Sequence, residues 1–141
     1  MGQIKYLLDT NILSEPARQN PDAVVMSCFK QYDGKYATAS IVWHELKYGI
    51  ELLPDSKRKT YLQSYLSVLL ENGLAILPFD QNAAEWYAKQ RARIKIQGKT
   101  TAYADGEIAA IAAVNNLTLI TRNTSDFQHY KNIEVVNWFK G

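Results

Sequence analysis

A single α/β domain with a mainly parallel central sheet is the fold class this sequence predicts, on three observations. Five short β-like runs alternate with longer helical stretches, the pattern of parallel strands joined by helical crossovers. The helical stretches have legible ends, marked by capping residues and glycines. No repeat, low-complexity tract or linker divides the 141 residues, a length that suffices for one domain with a real core, here expected over 1–141.

The strands are expected at Ile4–Leu8, Lys35–Ala39, Leu74–Phe79, Leu117–Thr121 and Ile133–Asn137. Asn20-Pro21 offers the cap and first-turn proline of a helix that Gly34 follows. Ser40 can cap a helix over Ile41–Leu53. Asp55 can cap one over Ser56–Asn72, stopped by Gly73, and Asp80 one over Gln81–Gln97, ended by Gly98. An Ala/Ile-rich helix over Gly106–Asn115 reads as buried.

The composition, 47% hydrophobic and 21% charged, lies in the ordinary globular range. Sixteen Lys and Arg against fourteen Asp and Glu give a formal charge of +2, which by itself does not announce a nucleic-acid binder. The single Cys28 excludes an internal disulfide, and one Cys with two His argues against structural zinc. Asp9 interrupts the only apolar run near the start, which argues against a signal peptide, and no stretch is long enough to span a bilayer. The expected compartment is the cytoplasm, with no membrane partner.

Open parallel sheets bind ligands beyond the carboxyl ends of their strands, near the point where strand order reverses. Asp9 stands at such an end, immediately after an apolar strand and with no cation beside it. The loop after "LTLITRNTSDF" is a second such place and carries Asn123 and Asp126. Two more acids come from helices. In "SIVWHELKYGIELL", Glu45 shares a stripe with Val42, Leu46 and Gly49, the spacing of a buried face, while His44 and Lys47 turn elsewhere. In "YADGEIAAIAA", Asp105 leads a stripe of Ile108, Ala109 and Ala112, and Glu107 turns away.

Each acid alone has an ordinary explanation: Asp105 could cap its helix, and Asp9 could accept backbone N–H groups in a tight turn. Four inward acids at strand ends and first helical turns are harder to explain one by one. If they converge, their repulsion would protonate some or drive them apart. A hard divalent cation with oxygen ligands, Mg²⁺ or Mn²⁺, removes that conflict. Such a cluster suits phosphodiester hydrolysis, because the ion lowers the pKa of a bound water and stabilises charge on the attacking and leaving oxygens.

At these residues the chain resembles a known family. "LLDTNILSEP", "HELKYGIE", "ADGEIAAIAA" and "LITRNTSDF" are similar to the motifs of PIN-domain ribonucleases, above all the VapC-type bacterial toxins. The likeness covers nearly the whole chain, including "ILPFD" and the final "VVNW". The resemblance implies a PIN-like fold and assigns Asp9, Glu45, Asp105 and the more variable Asp126 as metal-binding, catalytic acids. It implies Asn11, Thr121 and Asn123 as polar support that orients carboxylates or a phosphate. It further implies an RNA substrate, with transfer RNA as one class the family takes, a homodimer, and a cognate antitoxin protein through which any operator DNA is bound. "GKTTAYAD" lacks the Ile-Gly step many relatives have before the third acid, which leaves substrate fit open.

Other features have simpler readings. His44 is expected on the flank of its helix and His129 in a solvated loop. Cys28 packs as a small hydrophobe. In "KQRARIKIQGK", Lys89 with Arg93 and Arg91 with Lys95 fall at i, i+4 spacings, by default a solvated face, with RNA phosphates or an acidic partner as the alternatives. Tyr61, Tyr65, Trp86 and Tyr87 read as core or subunit packing, and helices Ile41–Leu53 and Ser56–Asn72 as the partner surface. A response-regulator receiver would use Asp80 at its strand end but needs an acidic pair after the first strand, where Thr10 follows Asp9. A haloacid-type phosphatase needs Asp where Asn11 stands. A non-catalytic binding module with a purely structural acidic cluster is the remaining rival.

Overall fold

Five strands pair in parallel in the order β3-β2-β1-β4-β5: β1 (Tyr6–Leu8), β2 (Tyr36–Ala39), β3 (Ala75–Leu77), β4 (Thr118–Ile120) and β5 (Val135–Val136). The structure is a computed structural model and describes residues 3–139, so Met1, Gly2, Lys140 and Gly141, the ends of the expected domain, lie outside the described residues. All five strands fall within the expected ranges. Strands in such a sheet are covered on both faces and so read as continuous apolar runs. Leu7, Leu8, Ala37, Thr38, Ala39, Leu119 and Ile120 are accordingly fully buried. Thr38 is tolerated there because its hydroxyl donates to the Leu8 carbonyl at 2.8 Å.

The helices are α1 (Thr10–Leu13), α2 (Ala23–Gln31), α3 (Ser40–Glu51), α4 (Lys57–Glu71), α5 (Gln81–Ile96) and α6 (Tyr103–Val114). Asp80 caps α5 as expected, accepting the Ala83 N–H at 2.9 Å, which gives that strand-end acid a structural role. Three other caps differ. Asp22, not Asn20, caps α2 by accepting from Val24 and Val25. Ser56, not Asp55, caps α4, and Ser40 is already the first residue of α3. At α2 and α4 the residue that caps, Asp22 or Ser56, is the one in extended backbone geometry directly before the helix, whereas α3 follows Ala39 and has no side-chain cap. The four-residue α1 and the 3₁₀ turns Glu15–Ala17 and Thr124–Phe127 were not expected, being too short to show a helical period. Among the described residues no helix is long and apolar enough to cross a membrane.

α6 starts three residues earlier than expected, which places Asp105 in its first turn. Its centre is the most buried helical segment of the protein, with Ala109, Ala110, Ile111 and Ala112 fully covered. α5 packs along α6 so closely that Tyr87 lies directly over Gly106, and a Cβ on Gly106 would overlap its ring. Tyr87 is itself only 3% exposed and cannot swing out. Gly106→Ala is therefore expected to lose about 1–3 kcal/mol in chemical denaturation, as overpacking does. The smaller Tyr87→Leu should relieve part of that loss in the double variant, and strictly additive effects would contradict this packing.

Candidate active site

β1, β2 and β3 run outward on one side of the sheet, and β4 and β5 on the other, so strand order reverses at β1 and β4. Asp9 follows β1 at this crevice and Thr121 follows β4. The two are joined directly: the Thr121 hydroxyl donates to Asp9 Oδ2 at 2.8 Å. The other carboxylate oxygen, Oδ1, accepts the Thr10 N–H at 2.8 Å, so Asp9 also caps α1. Its backbone N–H continues the sheet to the Ile120 carbonyl at 2.9 Å.

The bonds of Asn11 and Asn123, both expected as polar support, join the two loops to each other. Asn11 Oδ1 accepts the Arg122 N–H at 3.0 Å, and the Asn123 N–H donates to Thr121 Oγ1 at 3.1 Å. The loops after β1 and β4 are thus stitched to each other around the carboxylate of Asp9. Asp126 sits in the first turn of the 3₁₀ segment beyond Asn123, and its N–H returns to the Asn123 carbonyl.

Asp9 is 8% exposed, and no cation neutralises it among the ion pairs of the described residues. Burial raises its pKa above the ordinary carboxylate value. The hydrogen bonds from Thr121 and Thr10 pull it back, and the charge of Asp126 pushes it up again. Asp105, half-buried at the start of α6, is raised to about 6, first by burial and then by the charges of Asp9 and Asp126. The charge of Asp126 therefore makes both Asp9 and Asp105 harder to ionise, and the charge of Asp9 does the same to Asp105.

Glu45 differs from its expectation. It is exposed, as is Gly49 on the same stripe, while Val42 is buried and Leu46 half-buried. The apolar face of α3 packs against α1 and α6, and Glu45 lies at the edge of that face instead of within it. There it helps line a pocket of about 310 Å³ between α3 and α4, with Leu46, Ile50, Leu53 and Leu66 as apolar walls and Arg18 and Arg58 as cations. Asp126 is exposed too. Among the described residues no group of three or more His, Cys, Asp or Glu stands close enough to hold a metal ion by itself. Of the four acids, Asp9 is buried, Asp105 half-buried, and Glu45 and Asp126 exposed.

The donor chemistry fits a hard cation of the Mg²⁺ type. Such an ion keeps several waters and is commonly held by one or two carboxylates together with substrate phosphates, not by an all-protein cage. Neither histidine joins the acids in a metal-holding group among the described residues. His44 stacks on Tyr48 with ring centroids 6.2 Å apart, and the His129 carbonyl accepts a hydrogen bond from Arg93.

Glu15 went unassigned in the sequence although it stands in the "SEP" of the first motif. It is 3% exposed. Its Oε2 accepts the Asp22 N–H at 2.7 Å and its Oε1 pairs with Arg18 at 3.4 Å, which fastens the chain between α1 and α2. The signal available was the proline beside it, which marks the first turn of a short helix.

Comparison with known proteins agrees with this architecture. The family model described as PIN domain matches residues 6–133. Toxin FitB of Neisseria gonorrhoeae is 41% identical over 125 residues, covering 86% of this chain and 89% of FitB. Ribonuclease VapC2 of Rickettsia felis is 32% identical and covers 96% of this chain and 98% of its own. Among solved structures, FitAcB from Neisseria gonorrhoeae superposes with a TM-score of 0.85 at 38% identity, covering 94% of this chain and 97% of that one. VapBC2 from Rickettsia felis, bound to a DNA fragment from its promoter, superposes at 0.80 with 30% identity and covers 98% and 99%. The chain belongs to the PIN-domain family, and within it to the VapC-type toxins of toxin–antitoxin systems.

Proposed function

We propose that the protein is a Mg²⁺- or Mn²⁺-dependent endoribonuclease, a toxin neutralised by a cognate antitoxin. The observation that carries this reading is the buried, uncompensated Asp9 held by Thr121 at the strand-order crevice, within electrostatic range of Asp105 and Asp126. Asp9 and Asp105 would hold the ion, with Asp126 and Glu45 contributing from the exposed rim. The ion supplies a water of lowered pKa and offsets charge on the phosphodiester. Thr121 and the Thr10 N–H fix the Asp9 oxygens, so the carboxylate need not reorganise when a substrate arrives. Asn11 and Asn123 hold the two loops in register. No side chain acts as a covalent nucleophile, and the products would carry a 5′-phosphate and a 3′-hydroxyl. Transfer RNA is the substrate class we favour, in keeping with relatives named as tRNA(fMet)-specific endonucleases.

The partner reading draws on the apolar pocket between α3 and α4 and on exposed Tyr48, Leu52 and Tyr61 on the same helices. We assign this surface to the antitoxin, as solved relatives are toxin–antitoxin complexes and some of them are DNA-bound. Operator DNA would then be reached only through the antitoxin, and the toxin itself would be a homodimer in the cytoplasm.

Asp9→Asn and Asp105→Asn are each expected to lower Mg²⁺-dependent RNA cleavage by about 100-fold or more while leaving the fold intact. Parent-level cleavage by either variant would overturn the assignment. Thr121→Val should weaken Mn²⁺ binding by about 10–100-fold in calorimetry, the usual effect of losing a group that orients a ligand.

The raised pKa of Asp105 sets a pH test. Without metal, the folded state holds this proton more tightly than the unfolded chain does. The stability so contributed is complete below about pH 4 and is lost as pH rises through about 6. An ion that binds the ionised acids should reverse that loss. The rise in melting temperature caused by Mn²⁺ is therefore expected to grow between about pH 5 and pH 7, and to shrink in Asp105→Asn. No rise at any pH in the parent protein would favour a non-catalytic module with a structural acidic cluster.

A further inference from the structure

The basic run that ends α5 divides into two parts. Arg93 turns inward, donating to Gln90 Oε1 at 2.6 Å and to the His129 carbonyl at 2.7 Å. Arg91 and Lys95 stay exposed one turn apart. Gly98, at φ +80°, then reverses the chain, and the Lys99 N–H bonds back to the Ile94 carbonyl at 3.2 Å. That turn returns Lys99 to the last turn of the helix. Arg91, Lys95 and Lys99, with the hydroxyl-bearing Thr100 and Thr101, line one pocket of about 90 Å³ floored by Ile94.

Cations near a helix C-terminus complement its dipole. That accounts for Lys95, but not for Lys99 beyond the helix or for the two threonines. None of the three cations forms an ion pair among the described residues, and like charges one turn apart repel. The pocket is well below the roughly 300 Å³ at which drug-sized ligands begin to fit, so it suits a compact anion. It is linked to Asp105 through Tyr130, whose phenol feels the charge of that acid. The Tyr130 hydroxyl donates to Thr101 Oγ1 at 2.7 Å. The Arg91 guanidinium lies 5.4 Å from the ring centroid of Tyr103, which is 53% exposed and opens α6 two residues before Asp105.

We propose that Arg91, Lys95 and Lys99 form a phosphate-binding subsite that holds the RNA backbone beside the acids, with the exposed Tyr103 ring available to an adjacent base. This rests on the ribonuclease reading. An aromatic face next to unpaired cations is the combination that single-stranded RNA uses, and it favours RNA over an acidic segment of a partner protein. The sheet-end crevice gathers acids, and the Arg122 guanidinium beside it lies over the Phe139 ring, 4.4 Å from its centroid. Arg122 keeps its charge in that stack, and a polyanion crossing the crevice gains a further cationic hold from this pocket.

The test measures binding of a labelled single-stranded RNA oligonucleotide by fluorescence anisotropy, in the Asp9→Asn background so that cleavage does not intrude. The triple variant Arg91→Gln/Lys95→Gln/Lys99→Gln is expected to bind about tenfold or more weakly near 0.1 M salt. Its plot of log affinity against log salt should flatten by about 0.7 for each phosphate that is no longer neutralised. In the cleaving protein the same changes should raise KM with kcat near parent level, and Lys95→Arg/Lys99→Arg should retain both binding and slope. Lys99→Gln alone, outside the helix, gives the change expected for one phosphate if the triple variant does not fold. Unchanged affinity and slope in a folded triple variant overturn the subsite. So does unchanged RNA binding with weakened antitoxin binding, which would reassign the pocket to an acidic protein segment. If the parent binds RNA through this pocket but neither Mg²⁺ nor Mn²⁺ elicits cleavage, the subsite stands and the ribonuclease reading falls. No RNA binding by the parent overturns the subsite.

Discussion

The hydrogen bond from Thr121 to Asp9 is the contact on which the rest of the site depends. A carboxylate at the end of a covered strand is costly unless its oxygens are satisfied. Here one oxygen takes the Thr121 hydroxyl and the other the Thr10 N–H. These bonds stabilise the charged form, yet burial still raises the pKa of Asp9. Asp9 is therefore held in place without being fully compensated, and the deficit is what a cation would fill. Thr121 can do this only because β4 pairs beside β1 with Leu8 opposite Ile120, which brings both strand ends to the same level.

The same economy governs α6. Asp105 must stand at the helix start while the rest of the helix is buried among α5 and the sheet. A run of Ala and Ile after Asp105 makes that burial possible, and Gly106 lets Tyr87 lie against the backbone next to the acid. Tyr87 and Tyr130 thus pack close to the site without contributing charge. Burial and its neighbours lift the Tyr130 phenol to about 12, so it is neutral across the physiological range. Burial raises the pKa of Asp105 first, and the charges of Asp9 and Asp126 raise it further.

Most of the fold was legible because it rests on local signals. Each strand is an apolar run bounded by polar or glycine residues, and Asp80 announces α5 by standing just before it. Asp9 and Asp105 were legible for a related reason: each is an acid placed where an apolar pattern calls for something else. Glu45 was misread by the same rule. Its neighbours Val42 and Leu46 do face inward, but a helical stripe is wide, and sequence spacing does not say where its edge meets solvent. That edge is set by how α3 packs against α1 and α6, which is tertiary information. Glu15 was passed over for the opposite reason. Its partner is the backbone N–H of Asp22, and a backbone donor leaves no mark in the sequence.

An open group of acids, instead of a closed cage, is also what hydrolysis of a large polyanion requires. A cation fully enclosed by four carboxylates would have no coordination position left for water or a phosphate oxygen, and its net charge would repel the substrate. With Asp9 and Asp105 nearest and Glu45 and Asp126 exposed, protein oxygens are few and room for the substrate remains. On the proposed ribonuclease reading, the remaining negative charge must then be offset elsewhere along the bound strand. The chain as a whole carries only +2, so that offset has to come from local concentration of cations, not from overall charge. The turn between α5 and α6 carries one such concentration, and the short connection ties it and Asp105 to the same pair of packed helices.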